Sequence, residues 1–276
     1  MDDRSPRHVD RLTVGGGVTL AIEESGRGHP VLLIHGFPLD RTIWRHQIDH
    51  LHGFHCIAPD LRGMGTSDCP TGGYSIASYA EDLAAVLDRV GHARASICGL
   101  SMGGYIALEF VRQFRSRVSA LVLMDTRTGA DTEEGRQGRD RMAERARQEG
   151  VGPIVEELMD KLLGAESRSK TETVVEPLRR MMRATPLVGF LGALAAMRDR
   201  RGYAEVLETL AGIPTLVVVG EEDRLTPPSL AEALAAAVPG ARLMVVPNAG
   251  HLVPMEQPET TTGILGEFLR SVKPTS

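Results

Sequence analysis

Five residues, Gly99-Leu100-Ser101-Met102-Gly103, constrain this 276-residue chain more than any others. They follow a short apolar run, Ala95 to Cys98, and lead into an amphipathic helical pattern from Met102 to Phe114. A strand that turns into a helix within so few residues holds the serine in a strained backbone conformation and pushes its Oγ out of the turn. Such a turn closes only if positions 99 and 103 carry no side chain. The N-terminus of the following helix favours negative charge developing beside the hydroxyl. Glycines around a serine also occur in ordinary loops, so it is the flanking strand and helix that make Ser101 a candidate nucleophile.

The sequence around this turn alternates. Val18 to Ile22, Val31 to Ile34 and Cys56 to Ala58 are brief, rich in β-branched residues and closed by Gly, Pro or Asp, as strands are. Ile76, Tyr79, Leu83, Val86, Leu87 and Val90 then recur at helical spacing, with Ser75 as cap and Gly91 as stop. Val118 to Met124 is strand-like again. The alternation predicts an α/β fold with a mainly parallel sheet covered on both faces. It stops after Asp125. From about Arg127 to about Tyr203 there is no strand-like run, whereas Ile154 to Leu163, Val174 to Met182 and Val188 to Met197 read as helices. Strands resume at Thr215 to Val219 and Leu243 to Val246, separated by an Ala-rich helix from Ser229 to Val238. Pro258 opens a last helix ending near Arg270. The expected organisation is one α/β core, residues 1–126 and 206–276, interrupted by a helical insertion, residues 127–205.

A serine hydroxyl is a poor nucleophile until a base takes its proton, so Ser101 needs a histidine and a group that orients it. Of nine histidines, His251 lies in Asn248-Ala249-Gly250-His251, just beyond the strand Leu243 to Val246. Asp223 lies in Gly220-Glu221-Glu222-Asp223, just beyond Thr215 to Val219. Active groups of open α/β sheets gather at this carboxyl edge. Glu221, Glu222 and Asp125, which ends the strand Val118 to Met124, compete with Asp223 for the role of acid. Acyl transfer also requires donors for the oxyanion. The turn supplies the N–H of Met102, and the loop His35-Gly36-Phe37-Pro38 offers that of Phe37, whose backbone the following proline restricts.

Composition narrows the partners. With 31 basic and 36 acidic residues scattered along the chain, net charge is −5 and no basic stripe points to nucleic acid or an anionic membrane. A small molecule fits better. The opening MDDRSPRHVD has no apolar signal region, and no window approaches the roughly 20 apolar residues of a membrane span, so a cytoplasmic location is expected. Cys56, Cys69 and Cys98 are odd in number and lack zinc or redox spacing, which predicts reduced thiols, with Cys98 packed in the core. His46 and His50 have the i, i+4 spacing of a shared metal site, but no acidic ligand set or HExxH pattern accompanies them, so a solvated helix and loop is expected. Arg136, Arg139, Arg141, Arg145, Arg179, Arg180 and Arg183 are expected to be mostly exposed and paired with Glu or Asp, with one or two free for a substrate carboxylate. Met142, Met159, Met181, Met182 and Met197 read as core of the insertion, or as the lining of an adaptable acyl pocket.

Taken in order, His35-Gly36-Phe37-Pro38, Pro59-Asp60-Leu61-Arg62-Gly63-Met64-Gly65-Thr66-Ser67-Asp68, the Ser101 turn, Gly220 to Asp223 and Gly250-His251 resemble the α/β-hydrolase family. The similarity runs from about Leu12 to about Leu269, and the order Ser101, Asp223, His251 is the order of that class. The resemblance implies an eight-stranded sheet flanked by helices, with a helical cap after the sixth strand. Within the family the chain looks like cap-bearing esterases, enol-lactonases and the cofactor-free haloperoxidase or perhydrolase group. Gly99 to Gly104 and Trp44 resemble enol-lactonases, which commonly lack the His35-Gly36 pair. Haloalkane dehalogenases and epoxide hydrolases carry aspartate where Ser101 stands. The loop of Asp60 and Arg62 is usually structural. The expectation is a monomeric or homodimeric carboxylesterase that acts on a small-molecule ester through an acyl-enzyme, with no cofactor or metal. Hydrolysis of a lactone, as by 3-oxoadipate enol-lactonases, and perhydrolysis are the alternatives, and a binding protein without activity is a reading from another class.

Overall fold

The computed structural model describes residues 8–272. The reading of the first ten residues, and the outer ends of the expected core, therefore lie partly outside the described residues.

One sheet of eight strands runs through the molecule in the order β1-β2-β4-β3-β5-β6-β7-β8. The strands are β1 (His8–Thr13), β2 (Thr19–Ser25), β3 (His29–Ile34), β4 (Phe54–Pro59), β5 (Ala95–Leu100), β6 (Val118–Met124), β7 (Thr215–Gly220) and β8 (Arg242–Val246). β2 pairs antiparallel with both β1 and β4, while β4, β3, β5, β6, β7 and β8 run parallel. Seven of the eight match runs expected from sequence. The exception, β1, is an edge strand that buries only Leu12 and so carries no apolar alternation.

Side chains of the central strands alternate between two cores, as the two-residue period of a pleated strand requires. Leu32, Ile97, Leu121 and Val217 face a core shared with α2 (Ile76–Arg89) and α3 (Met102–Phe114). Leu33, Cys98, Val122 and Val218 face the other, shared with α1 (Arg45–His50) and a helix near the C-terminus, Pro258–Ser271. Both faces are covered, so the central strands are apolar throughout. Ser75 caps α2 as expected, in a reciprocal capping box with Ser78. Cys56 and Cys98 are buried free thiols, and burial pushes that of Cys56 up to about 12.

The strand order locates the functional edge. From β3 the chain crosses to β4 on one side, whereas from β5 it crosses to β6 on the other. A parallel sheet opens a crevice at the carboxyl ends of two adjacent strands whose connections diverge in this way. Here those ends carry His35-Gly36-Phe37 and Ser101.

Between β6 and β7 the chain forms α4 (Glu133–Glu149), α5 (Val151–Leu162), α6 (Ala165–Ser169), a π-helical turn (Thr171–Val175), α7 (Glu176–Arg183), α8 (Leu187–Arg198) and α9 (Ala204–Thr209). After β7 come α10 (Pro228–Ala237), α11 (Val253–Glu256) and α12 (Pro258–Ser271). The longest of the helices between β6 and β7, α4, was not among those expected. It fully buries only Ala146, so it has almost no apolar stripe to read. Half-buried Met142 and Ala143 pack against the core beside it, and its exposed face carries pairs such as Arg145 with Glu149, and Arg145 with Glu157 of α5. Arg179 and Arg183 pair with Glu156, in keeping with the expectation for these arginines. Met159, Met181, Met182 and Met197 are buried, the core reading of that set.

One ion cluster under α4 differs from these surface pairs. Asp131 is buried and meets Arg127 Nη2 at 2.7 Å, Arg200 Nη1 at 2.8 Å and the Nε of Arg139. The Arg200 guanidinium is fully buried, with its Cζ 4.2 Å from the centre of the Tyr105 ring of α3. Burial opposes charge on Asp131, but the hydrogen bond from Arg139 and the charges of Arg139 and Arg200 outweigh it and hold the carboxyl below its usual range. Replacing Asp131 strands a buried guanidinium, so Asp131→Asn is expected to cost about 3 to 5 kcal/mol of stability at neutral pH, read by urea unfolding. Because the folded pKa lies below the unfolded value of about 3.9, the contribution is complete above that value and disappears as pH falls through the folded one. Wild-type stability should therefore fall more steeply on acidification than that of Asp131→Asn, and parallel profiles would contradict this account.

Candidate active site

Ser101 stands between β5 and α3 with φ 55° and ψ −114°, a conformation that L residues rarely adopt. Its N–H donates to Met124 O at 2.9 Å and its carbonyl accepts from Thr126 Oγ1 at 2.8 Å, which ties the turn to the end of β6. The expected need for glycine holds. A Cβ on Gly99 would run into Gly103, and one on Gly103 would run into the carbonyls of Ile34 and His35. The adjoining loop lies equally close, since a Cβ on Gly36 would sit 3.1 Å from Ser101 Cβ.

His251 and Asp223 converge on this serine from the loops after β8 and β7. His251 Nε2 lies 2.8 Å from Ser101 Oγ, and His251 Nδ1 lies 2.8 Å from Asp223 Oδ2. Both His251 and Asp223 are buried, at 3% exposure each. The carboxylate is saturated with donors. Oδ1 accepts the N–H groups of Leu225 and Thr226 at 2.8 and 3.0 Å, and Oδ2 also accepts from Thr226 Oγ1 at 2.6 Å. Burial alone would favour the neutral acid, but the bonds from His251 and Thr226 outweigh it and keep the Asp223 carboxyl below the ordinary range. An ionised Asp223 fixes the proton on Nδ1 and leaves Nε2 as the basic atom facing Ser101. Thr226 was not singled out from sequence. Its signal is its place three residues after Asp223, where a threonine can bond back to the carboxylate.

The competing acids go elsewhere. Glu222 Oε2 accepts the N–H of Ala165 at 2.7 Å, and neither it nor Glu221 bonds to His251. Asp125 is buried at φ 44° with Oδ1 accepting the Gly220 N–H at 2.9 Å, and its Oδ2 has no hydrogen-bond partner among the described residues. Burial, and then the neighbouring charge of Asp223, push the Asp125 carboxyl well above its usual range. The carboxyls of the two aspartates, at neighbouring strand ends, are thus pushed in opposite directions.

Among the described residues, the N–H groups of Phe37 and Met102 donate no hydrogen bond within the chain. The His35-Gly36 pair has a structural role. His35 is fully buried, with Nδ1–H donating to Gly36 O at 2.8 Å and Nε2 accepting from Leu61 N–H at 3.0 Å. Those roles require a single neutral tautomer, and burial lowers the pKa accordingly. The imidazole therefore braces the Phe37 loop against the Asp60 segment. Asp60 accepts from the N–H groups of Arg41 and Thr66, and Arg62 makes two bonds of 2.6 Å to Asp82, in keeping with a structural role for that loop. His46 and His50 stack with ring centres 4.1 Å apart, and among the described residues no cluster of His, Cys, Asp and Glu is built to hold a metal. No helix among the described residues is long and apolar enough to cross a membrane.

The contrast between the aspartates is measurable through the reactivity of Ser101 itself. Asp223→Asn should slow its labelling by a fluorophosphonate by on the order of 10⁴-fold, by releasing the tautomer of His251. Asp125→Asn, which keeps both the shape and the hydrogen of a protonated carboxyl, should label at the wild-type rate. Equal losses in both variants would mean that the two carboxyls act as a unit.

Comparison with known proteins agrees with this architecture. The profile of the alpha/beta hydrolase fold matches residues 29–258. A thermophilic esterase from Thermogutta terrifontis, solved with malate bound, superposes with a TM-score of 0.92 at 41% identity, covering 96% of this chain and 99% of that one. A putative non-heme bromoperoxidase of Mycobacterium tuberculosis, BpoC, is 30% identical over 264 residues, 93% of this chain and 99% of its own length. The enol-lactonase of Burkholderia xenovorans LB400 superposes with a TM-score of 0.87 at 24% identity, covering 95% of this chain and all of that one, a likeness of fold alone. The chain belongs to the α/β-hydrolase family.

Proposed function

We propose that this hydrolase is a serine carboxylesterase that cleaves esters of small to medium acyl chain through an acyl-enzyme. The observation that carries the reading is the unbroken chain of contacts Ser101 Oγ, His251 Nε2, His251 Nδ1, Asp223 Oδ2, each step 2.8 Å. His251 takes the Ser101 proton as Oγ attacks the ester carbonyl, while the N–H groups of Phe37 and Met102 receive the oxyanion. The imidazolium, stabilised by ionised Asp223, gives that proton to the leaving alcohol. A water then enters, His251 deprotonates it, and collapse of the second tetrahedral intermediate returns Ser101 and releases the acid. No cofactor is needed for these steps.

Residues 127–205 act in this proposal as a cap over the core formed by 1–126 and 206–276. Two contacts favour that role. The ring of Phe190 in α8 lies 4.7 Å from that of Phe37, the proposed oxyanion donor, and Thr185 Oγ1 donates to Pro38 O at 3.2 Å. A wall of aromatic and aliphatic groups beside the nucleophile suits an uncharged acyl chain and keeps bulk water from the oxyanion.

A second reading uses the same acyl-enzyme. The relative named as a bromoperoxidase favours perhydrolysis, in which hydrogen peroxide replaces water at the second step and the product is a peracid.

Hydrolysis of p-nitrophenyl esters from acetate to laurate tests the first reading. Ser101→Ala should lose on the order of 10⁶-fold in kcat while remaining folded. Wild-type rates in that variant would reject Ser101 as nucleophile, and a folded wild type inactive on every ester but active on an enol-lactone would move the proposal to lactones. For the second reading, incubation with acetate and hydrogen peroxide should yield peracetic acid, which oxidises added bromide and is read by the resulting bromination of monochlorodimedone. Absence of that product at high peroxide would remove perhydrolysis.

A further inference from the structure

Glu256 ends α11, five residues beyond His251, and is 1% exposed. Its two oxygens accept main-chain N–H groups from opposite sides. Oε1 takes that of Leu252, next to His251, at 2.9 Å, and Oε2 takes that of Gly164, in the turn between α5 and α6, at 2.7 Å. Two more bonds join the same segments. The N–H of His251 itself donates to Leu162 O at 2.7 Å, and the Ala165 N–H donates to Glu222, the residue before Asp223. The backbones are in near contact, since a Cβ on Gly250 would lie 2.5 Å from Gly164 N and 2.6 Å from Leu162 O. The α5–α6 turn is therefore hydrogen-bonded to the N–H of the base itself, through Glu256 to the residue after it, and to the residue before the acid.

We propose that Glu256 is a positioning residue for His251, which fastens the main chain of the base to the α5–α6 turn and so makes the cap part of the catalytic alignment. The proposal rests on the reading of Ser101, His251 and Asp223 as the catalytic residues. Beside the direct bond from His251 N–H to Leu162 O, Leu252 and Gly164 are brought to one carboxylate, and a buried carboxylate accepting two N–H groups is a strong, directional tie. His251 has little freedom to correct an error in its backbone, because Nδ1 and Nε2 must reach Asp223 and Ser101 at the same time. It follows that the cap cannot lift at the α5–α6 turn without disturbing the base.

Glu256→Ala and Glu256→Gln test this by two independent readouts. One is the division of any loss between kcat and KM on a p-nitrophenyl ester. The other is the far-downfield proton resonance of the His251 Nδ1–H bond to Asp223, which reports the alignment of the base whether or not any ester is a substrate. Glu256→Ala should lose about 100-fold in kcat, the scale of a small misplacement of a catalytic group, with KM little changed. Glu256→Gln, whose amide oxygen can keep only one of the two bonds, should lose less and should carry the test if the alanine variant does not fold. In both, the downfield resonance should shift or broaden. Folded variants with an unmoved resonance overturn the proposal, as does a loss confined to KM. If wild type hydrolyses no ester, the esterase reading fails, and the resonance alone then decides the positioning role.

Discussion

The molecule is organised around the close nesting of main chains at the carboxyl ends of β3 and β5. Ser101 takes a positive φ, and that turn is affordable because Gly99 and Gly103 let the start of α3 pass against the carbonyls of Ile34 and His35. The same nesting brings Gly36 so close to Ser101 that a side chain there would crowd it, and among the described residues it leaves the Phe37 and Met102 N–H groups without partners. Since the connections from these two strands diverge, no crossover covers the crevice between them. The Ser101 hydroxyl and these N–H groups thus share one origin, the packing of backbone on backbone, in which a single side-chain atom at the wrong glycine would force the strand ends apart.

Electrostatics then sorts the titratable groups collected at this edge. Asp223 and Asp125 end adjacent strands and differ in what they meet. Asp223 accepts from Leu225, Thr226 and His251, and its carboxyl is held below the usual range, whereas Asp125 is buried, accepts from Gly220 and lies beside the charge of Asp223, so its carboxyl is pushed up. Two close carboxyls in a buried region cannot both be charged at low cost, and the hydrogen-bond donors decide which one is. His35 is set in the same way, by a carbonyl on one nitrogen and an N–H on the other, as a neutral brace that does not compete with His251 for protons.

The helices between β6 and β7 are anchored to this edge at two places with different chemistry. At α5–α6 the anchors are main-chain bonds to the loops of Asp223 and His251, reinforced by Glu256. At α4 and α8 they are the Asp131–Arg200 cluster on Tyr105 and the ring of Phe190 on Phe37. Main-chain bonds in a close-packed turn tolerate little displacement.

Much of this was legible in the sequence. The glycine pattern around Ser101, the strand runs and the placement of His251 and Asp223 just past strand ends each follow from local rules: steric exclusion at a tight turn and the period-2 burial of strands. The outlying strand β1 and the helix α4 were not legible, because each buries a single apolar residue and so carries no periodic signal. Thr226 carried only a weak signal, its spacing from Asp223, and Glu256 none, since its partners Leu252 and Gly164 lie 4 and 92 positions away. Sequence could nominate Asp125 as well as Asp223, since both follow strands, and only the folded arrangement of donors separates them. By itself, then, the sequence determined the type of sheet, the turn that presents Ser101 and the residues able to act with it. The tertiary structure alone decided which carboxyl His251 meets, what His35 is for and how the helical layer is tied to His251, because hydrogen-bond partners and burial are set by contacts between segments far apart along the chain.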